Sequence, residues 1–242
     1  MVIPMKTITV VIARAGSKGL AGKNALTVAG RPMLAWTIEH AQGSRLAGQV
    51  VLSTDGEELA RVGRSMGVAV IDRPARLADD TATIDSAARH AVQAVEAQQK
   101  TLFEAVVILY GNIPVRPADL TDRAVVKLAE TGCDSVQSVY PVEKMHPYWM
   151  KKIGGDDELL MYEPNEVYRR QDLPPVYMLN GGIIAVARRS LFTSDTSSPH
   201  AFLGRDRRAI VNAPDEVIDI DSRLDLLVAE AVLMERRKSS VA

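Results

Sequence analysis

The sequence predicts an α/β fold: one mostly parallel sheet with helices on both faces. Three observations predict it. Short β-branched runs alternate with longer segments whose apolar residues recur at helical spacing. The connections between them are short, as βα units require. The first run, "TITVVIA" (Thr7 to Ala13), is continuously apolar rather than alternating, the pattern of a parallel strand buried on both faces.

The elements follow in order. After "TITVVIA" comes a loop, then "RPMLAWTIEHAQ", a helix with Pro32 at its first turn and Met33, Leu34, Trp36, Ile38 and Ala41 at helical spacing. "QVVLST" is the second strand. "DGEELARVGRSMG" is a helix with acidic residues at its start and Gly67 at its end. "VAVIDR" is the third strand. A long helix opens at Thr81 or Thr83 in "DDTATIDSAARHAVQAVEAQ". "EAVVILY" is the fourth strand, and "RPADLTDRAVVKLAETG" a helix with Pro117 early and Gly132 after it. "DSVQSVY" is the fifth strand. The rhythm breaks between Pro141 and Met178, where five prolines and a polar "GGDDE" turn rule out another βα unit; this stretch reads as an inserted arm with a hairpin around Gly154 and Gly155. "NGGIIAVAR" resumes as a strand, and "VIDIDSRLDLLVAEAVLMERRK" closes the chain as a short strand and a helix, leaving a frayed tail.

Composition narrows the function. The chain has 242 residues, 47% of them hydrophobic, which suits a single domain over 1–242 with a sizeable core. Formal net charge is -1, so the sequence lacks the basic excess of a nucleic-acid coat or a membrane-surface protein. No run approaches the length of a membrane span, and the N-terminus lacks a signal-peptide pattern. The one cysteine, Cys133, excludes an intrachain disulfide and fits a reducing cytoplasm, where it reads as a small buried residue.

The loop after the first strand, "ARAGSKGLAGKN", carries Gly16, Gly19 and Gly22 with Arg14, Lys18 and Lys23. It fits neither standard phosphate motif. A P-loop needs Gly five residues before Gly22, where Ser17 stands, and a hydroxyl where Asn24 stands. A dinucleotide fingerprint needs G-x-G-x-x-G, whereas these glycines are spaced by three. What remains is a glycine-rich loop whose amides and cations suit a phosphate chain; a solvated turn is the alternative. Near the other end, "VIDIDSRLD" places Asp219 and Asp221 two apart, on one face of a strand, where oxygen ligands suit magnesium; Asp221 also stands where a helix cap would.

With both ends in hand, the sequence resembles the acylneuraminate cytidylyltransferases, also called CMP-sialic acid synthetases, and the related 3-deoxy-manno-octulosonate cytidylyltransferases. "ARAGSKGLAGKN", "STDGEELA", "DRPARLADDTAT", "RRQDLPPVYMLNGGIIAV" and "VIDIDSRLDL" occur in the family's order over nearly the whole chain. The resemblance implies a Rossmann-like nucleotide-diphospho-sugar transferase fold with an inserted dimerisation arm at 141–178, hence a homodimer. It implies that CTP and a 2-keto sugar acid give a CMP-sugar acid and pyrophosphate, with Mg2+. Arg14, Lys23 and Asp221 take catalytic roles. Ala13, Arg14, Gly16, Ser17, Lys18, Lys23, Asn24, Arg73, Asp80 and Thr83 bind the nucleotide, Asn24 and Arg73 at its cytosine and ribose end. Tyr110, Asn112, Arg170, Gln171 and Asn180 face the sugar acid, and Asp219 and Asp221 hold the metal.

The chain departs from the family after the fourth strand. Sialic acid synthetases typically run into "LQPTSPLR"; here the segment is "LYGNIPVR", with Tyr110 for the Gln and Asn112 and Ile113 for small hydroxyl residues. The octulosonate enzymes carry an Asp where Asn112 stands. The departure implies an altered acceptor pocket, with legionaminic, pseudaminic, deaminated neuraminic and modified octulosonic acids open. Alternatives are an octulosonate-type enzyme, a sugar-phosphate nucleotidyltransferase using UTP or GTP, and a catalytically silent relative.

Overall fold

The structure is a computed structural model that describes residues 5–16, 20, 22–193 and 198–239, the side chain of Ser239 excepted. Ser17, Lys18 and Gly19 of the glycine-rich loop, and the end of the tail, lie outside the described residues. The strands are β1 (Thr7–Ile12), β2 (Thr27–Val28), β3 (Arg31–Pro32), β4 (Gln49–Thr54), β5 (Ala69–Asp72), β6 (Ala105–Tyr110), β7 (Ser135–Pro141), β8 (Lys151–Ile153), β9 (Leu159–Met161), β10 (Tyr177–Ala187) and β11 (Arg207–Val211). The helices are α1 (Met33–Gly43), α2 (Glu57–Ser65), α3 (Ile84–Gln99), α4 (Leu120–Thr131), α5 (Arg188–Leu191) and α6 (Arg223–Ser239).

The central sheet has the order β11-β7-β10-β6-β1-β4-β5. Every pairing in it is parallel except the two that β10 makes, with β6 and with β7. The mostly parallel sheet is as expected; the reversal of β10 is not, and its cause is local. β7 and β10 are joined by the arm rather than by a crossover helix, so the chain returns antiparallel, with Tyr177 opposite Pro141 at the arm's base. Within the arm, β8 and β9 form the expected hairpin, Ile153 opposite Leu159.

Both faces of the sheet are covered, which is why β1 and β6 carry no charged side chain and nearly every position in them is buried. Val11, Val107 and Leu109 pack under α1, α2 and α4 with Leu34, Ile38, Leu59, Leu120 and Leu128. Ile8, Val10, Val106 and Ile108 pack on the other side under α3 with Ala88, Val92 and Val95. A third cluster seats α6 through Ala229 and Leu233 against Val28, Met33, Val115 and Ile220. Cys133 is 1% exposed, as its small apolar character suggested.

Helix ends follow the sequence signals. Thr83 caps α3, its hydroxyl accepting from the Ser86 amide at 3.4 Å. α2 closes in a Schellman turn, with Gly67 N–H to Arg64 O and Val68 N–H to Gly63 O, both at 3.0 Å. Pro117 stands outside α4 rather than in its first turn: Leu120 N–H closes a turn onto Pro117 O at 3.1 Å and the helix starts there. Gly48, at φ 63, leads into β4 so close to β1 that a Cβ would lie 1.9 Å from Thr7 O, so no other residue fits.

Two expectations at the C-terminal end are corrected. "VIDID" forms no strand ladder; it is an extended segment with one bridge, Val115 to Ile218. Asp221 does not cap α6. Ser222 does, in a reciprocal box: the Asp225 carboxylate accepts from Ser222 N–H at 2.7 Å and Asp225 N–H donates to Ser222 Oγ at 3.3 Å. The Asp221 carboxylate is thereby left for another partner. "RRAIV", β11, was not foreseen; its two leading arginines hide an edge strand that pairs on one side only.

His40 on α1 gives the fold a pH signature. Its Nε2 lies 2.9 Å from Thr121 Oγ1, and burial, reinforced by Arg116, lowers its pKa from 6.5 to about 3. Above about pH 6.5 the ring is neutral folded and unfolded, and it costs nothing. Below that, the unfolded chain takes up a proton that the fold refuses, so stability falls as pH drops toward 3. His40→Gln is expected to lose less stability than the parent between pH 7 and pH 5 in urea unfolding; parallel losses would contradict this assignment.

Candidate active site

The carboxyl ends of β1, β5 and β6 open into a cleft of about 330 Å³. Its walls come from three places: Ile12, Arg14, Gly16, Lys23 and Asn24 after β1; Arg73 and the stretch from Leu77 to Ala87 after β5; and Tyr110 and Asn112 after β6. Of the residues expected to hold a nucleotide, Arg14, Gly16, Lys23, Asn24, Arg73, Asp80 and Thr83 line it, and Ala13 lies buried where its N–H meets Ser53 O at 3.1 Å.

The cations are held in place by the protein. Arg14 Nη1 reaches Asp80 Oδ1 at 3.1 Å and Asp79 O at 3.2 Å, tying the first loop to the wall after β5. Lys23 sits in a 3-10 turn entered through Gly22, whose φ of 61 is left-handed. Its Nζ lies 2.6 Å from Asp221 Oδ1. Arg73 is 7% exposed; its Nε donates to Ser53 Oγ at 3.1 Å and its Nη2 to Ser53 O at 2.6 Å. Burial lowers its pKa to about 10, with Arg14 acting the same way and Asp55 opposing, so it remains a cation at neutral pH. Asn24 donates through Nδ2 to Arg14 O at 2.9 Å, while its buried Oδ1 has no hydrogen-bond partner among the described residues. One expected residue has a further structural explanation: Thr83 caps α3.

The carboxylates lie at the mouth, each touching a residue of the wall. Asp221 meets Lys23; Asp219 Oδ1 accepts from Asn112 Nδ2. Asp219 keeps exposed surface but rests low against the packed turn after β6. Burial and the charge of Asp221 raise its pKa to about 6, against the pull of Lys23 and Arg116. Tyr110, beside it, is pushed up to about 12 by burial and by Asp219. The oxygen-only donors of Asp219 and Asp221 are of the type that suits a hard cation such as Mg2+. Among the described residues no group of three or more His, Cys, Asp and Glu side chains gathers to hold a metal, so a cation here would draw its other ligands from water and substrate.

Three expected sugar-acid residues do not line this cleft. Arg170 and Gln171 line a separate groove of about 320 Å³ at the base of the arm, where Arg170 pairs with Glu143. Asn180 shapes the irregularity in β10: its Oδ1 accepts from Ser138 Oγ at 2.5 Å and from Gly182 N–H at 3.1 Å. Arg116, which keeps register with the family segment in "LYGNIPVR" but was given no site role from sequence, lies 5% exposed beneath the site, and the carbonyl wall around Asp79 was not foreseen. Arg116 was detectable as the single charged side chain between Ala105 and Ala118.

Comparison with known proteins agrees with this geometry. A family model described as cytidylyltransferase matches residues 8–191. The chain is 31% identical to a CMP-N,N'-diacetyllegionaminic acid synthase of Legionella pneumophila, over 95% of this chain and 97% of that one. It is 30% identical to an N-acylneuraminate cytidylyltransferase of Escherichia coli, over 98% of this chain and 54% of that one. It is 24% identical to a pseudaminic acid cytidylyltransferase of Campylobacter jejuni, over 98% and 100%. In fold it is similar to a CMP:2-keto-3-deoxy-manno-octonic acid synthetase complexed with CTP, with a TM-score of 0.69 at 18% identity, covering 96% of this chain and 99% of that one. A glycine-rich cationic loop at the end of the first strand, a facing carboxylate pair and these matches lead to one assignment: the chain belongs to the cytidylyltransferase family and is a nucleotidyltransferase.

Proposed function

We propose that the protein joins CTP to a nine-carbon, sialic-acid-like 2-keto sugar acid, giving a CMP-sugar acid and pyrophosphate. The observation that carries the reading is the placement of Arg14, Lys23 and Arg73 around one cleft with Asp219 and Asp221 at its mouth. In the reaction the anomeric hydroxyl oxygen forms a bond to the α-phosphorus, its proton leaves, and the bond to the β-phosphate bridging oxygen breaks. Arg14 and Lys23 meet the charge of the triphosphate and of the departing pyrophosphate. Asn24 and Arg73 face the cytidine, the orphan Oδ1 of Asn24 supplying an acceptor and Arg73 a donor set. Asp219 and Asp221 would hold Mg2+, which supplies Lewis-acid stabilisation of phosphoryl charge when bound. Ser17 and Lys18 belong to the same phosphate loop in this reading.

The acceptor end is read from Tyr110 and Asn112. The aromatic and the amide there support a sugar acid other than N-acetylneuraminate, and legionaminic and pseudaminic acids lead the candidates, in line with what two of the relatives are named for. We assign the chain to one catalytic domain whose arm makes a homodimer, supported by Ile153, Leu159 and Tyr162, each more than 60% exposed on the arm. Arg170, Gln171 and Asn180 are then sugar-acid contacts completed in the dimer. Cys133, buried and unpaired, supports a cytoplasmic setting.

The direct test is pyrophosphate release from CTP and Mg2+ with nine- and eight-carbon keto sugar acids supplied singly. Release with a legionaminic- or pseudaminic-type acid is expected. Release only from a sugar 1-phosphate with UTP or GTP would overturn the reading, and full activity with N-acetylneuraminate alone would overturn the acceptor assignment.

Asp221→Asn is expected to cost about 100-fold in kcat, the scale of one lost electrostatic stabiliser. The fold should be unaffected, because an ion pair this exposed contributes about 0–1 kcal/mol. Near-normal turnover of Asp221→Asn would contradict its role.

A further inference from the structure

We propose that Arg116 is the positioning residue of the acidic end of the cleft, the side chain that sets where Asn112 and Asp219 meet. It is 5% exposed, and its hydrogen bonds go to neutral oxygens rather than to a carboxylate: Gly182 O at 2.7 Å, Tyr110 O at 2.9 Å, Thr37 Oγ1 at 3.0 Å, and Ile113 O. Asp219 acts on it only through space, with no ion pair among the described residues, and a buried cation held that way is costly, so an apolar side chain of similar volume would serve packing better. Its geometry explains what it does instead.

The guanidinium closes the turn after β6 onto itself by binding the carbonyls at both ends of Tyr110–Ile113, while Thr37 Oγ1 of α1 reaches the same two carbonyls at 3.2 and 3.0 Å. Gly182 O fastens the arrangement to β10. From this clamped turn projects Asn112, whose side chain meets Asp219 and whose carbonyl accepts from Ile220 N–H at 3.1 Å. Val115 O takes Ile218 N–H at 3.3 Å, and the Arg116 carbonyl takes Arg236 Nη1 of α6 at 2.9 Å. The segment that carries both carboxylates hangs from a turn that Arg116 holds together with Thr37. A fork is required: lysine, with its single ammonium, cannot span carbonyls from two elements and a hydroxyl in fixed directions.

The kinetic part of the test rests on the cytidylyltransferase reading; the crystallographic part does not. Arg116→Lys is expected to fold, to lose about 100-fold in kcat with KM for CTP changed by less than about threefold, and to show the Asn112–Asp219 contact broken in its crystal structure. Thr37→Val keeps the arginine but removes one of its acceptors, and is expected to lose about tenfold in kcat. Val125→Ala, buried in α4 away from the site, controls for destabilisation and should keep the parent kcat. A folded Arg116→Lys that retains the Asn112–Asp219 contact, or turns over like the parent, would overturn the proposal. If Arg116→Lys does not fold, Thr37→Val decides by the same two readouts. If the parent releases no pyrophosphate with any acceptor, the contact in the variant crystal structures decides alone.

Discussion

The site depends on one contact between segments far apart in the chain, the turn after β6 and the stretch before α6. Ile220 N–H donates to Asn112 O, Ile218 N–H donates to Val115 O, and Ile220 fills a buried position beside Val115 and Met33. These are backbone bonds backed by apolar burial, so they fix position in a way that a surface ion pair cannot. Because Ile218 and Ile220 point into the protein, Asp219 and Asp221 are directed toward the mouth of the cleft. The Lys23–Asp221 pair, closed across 198 positions of sequence, is a consequence of that placement rather than its cause. With the Asp221 side chain 73% exposed the pair contributes little to the fold; what matters is that opposite charges face each other across the gap.

The fold supplies the other half. Parallel strands buried on both faces place their carboxyl ends along one rim, and the loops leaving β1, β5 and β6 are the segments free to carry polar groups there. The β1 loop brings cations, the β5 loop brings Arg73 and a wall of backbone carbonyls, and the β6 turn brings Tyr110 and Asn112. Arg14 links the first two loops through Asp79 and Asp80, and Asn24 steadies the Arg14 carbonyl. Arg14, Lys23 and Arg73 are therefore each partnered within the protein, and in the proposed reaction binding would exchange internal partners for phosphate oxygens instead of ordering a free side chain.

Most of this architecture is legible in the sequence because local patterns and tertiary burial agree. Doubly buried strands read as unbroken apolar runs, and Thr83, Gly67 and Gly132 mark helix ends where the structure has them. The misreadings share a physical origin. β10 reverses because the arm replaces a crossover helix, which no residue within β10 reports. "VIDID" alternates like a strand, yet its alternation reflects one buried side against the β6 turn without a ladder partner. Asp221 and Ser222 are both cap-forming residues, and only the reciprocal bond with Asp225 selects Ser222. In the site, the cationic loop and the carboxylate pair were visible as motifs, whereas Arg170 and Gln171 lie in a second groove whose distance from the cleft in sequence terms says nothing about space.

In the proposed reaction this cleft takes a cytidine triphosphate between the β1-loop cations and the carboxylate pair. The most direct measurement is a crystal structure of the protein soaked with CTP. The account predicts the triphosphate against Arg14 and Lys23, with Lys23 Nζ withdrawn from Asp221 and the cytosine edge beside Asn24 and Arg73. Electron density for CTP outside the cleft, or within it with the Lys23–Asp221 contact intact and the phosphates facing away from Arg14, would contradict it.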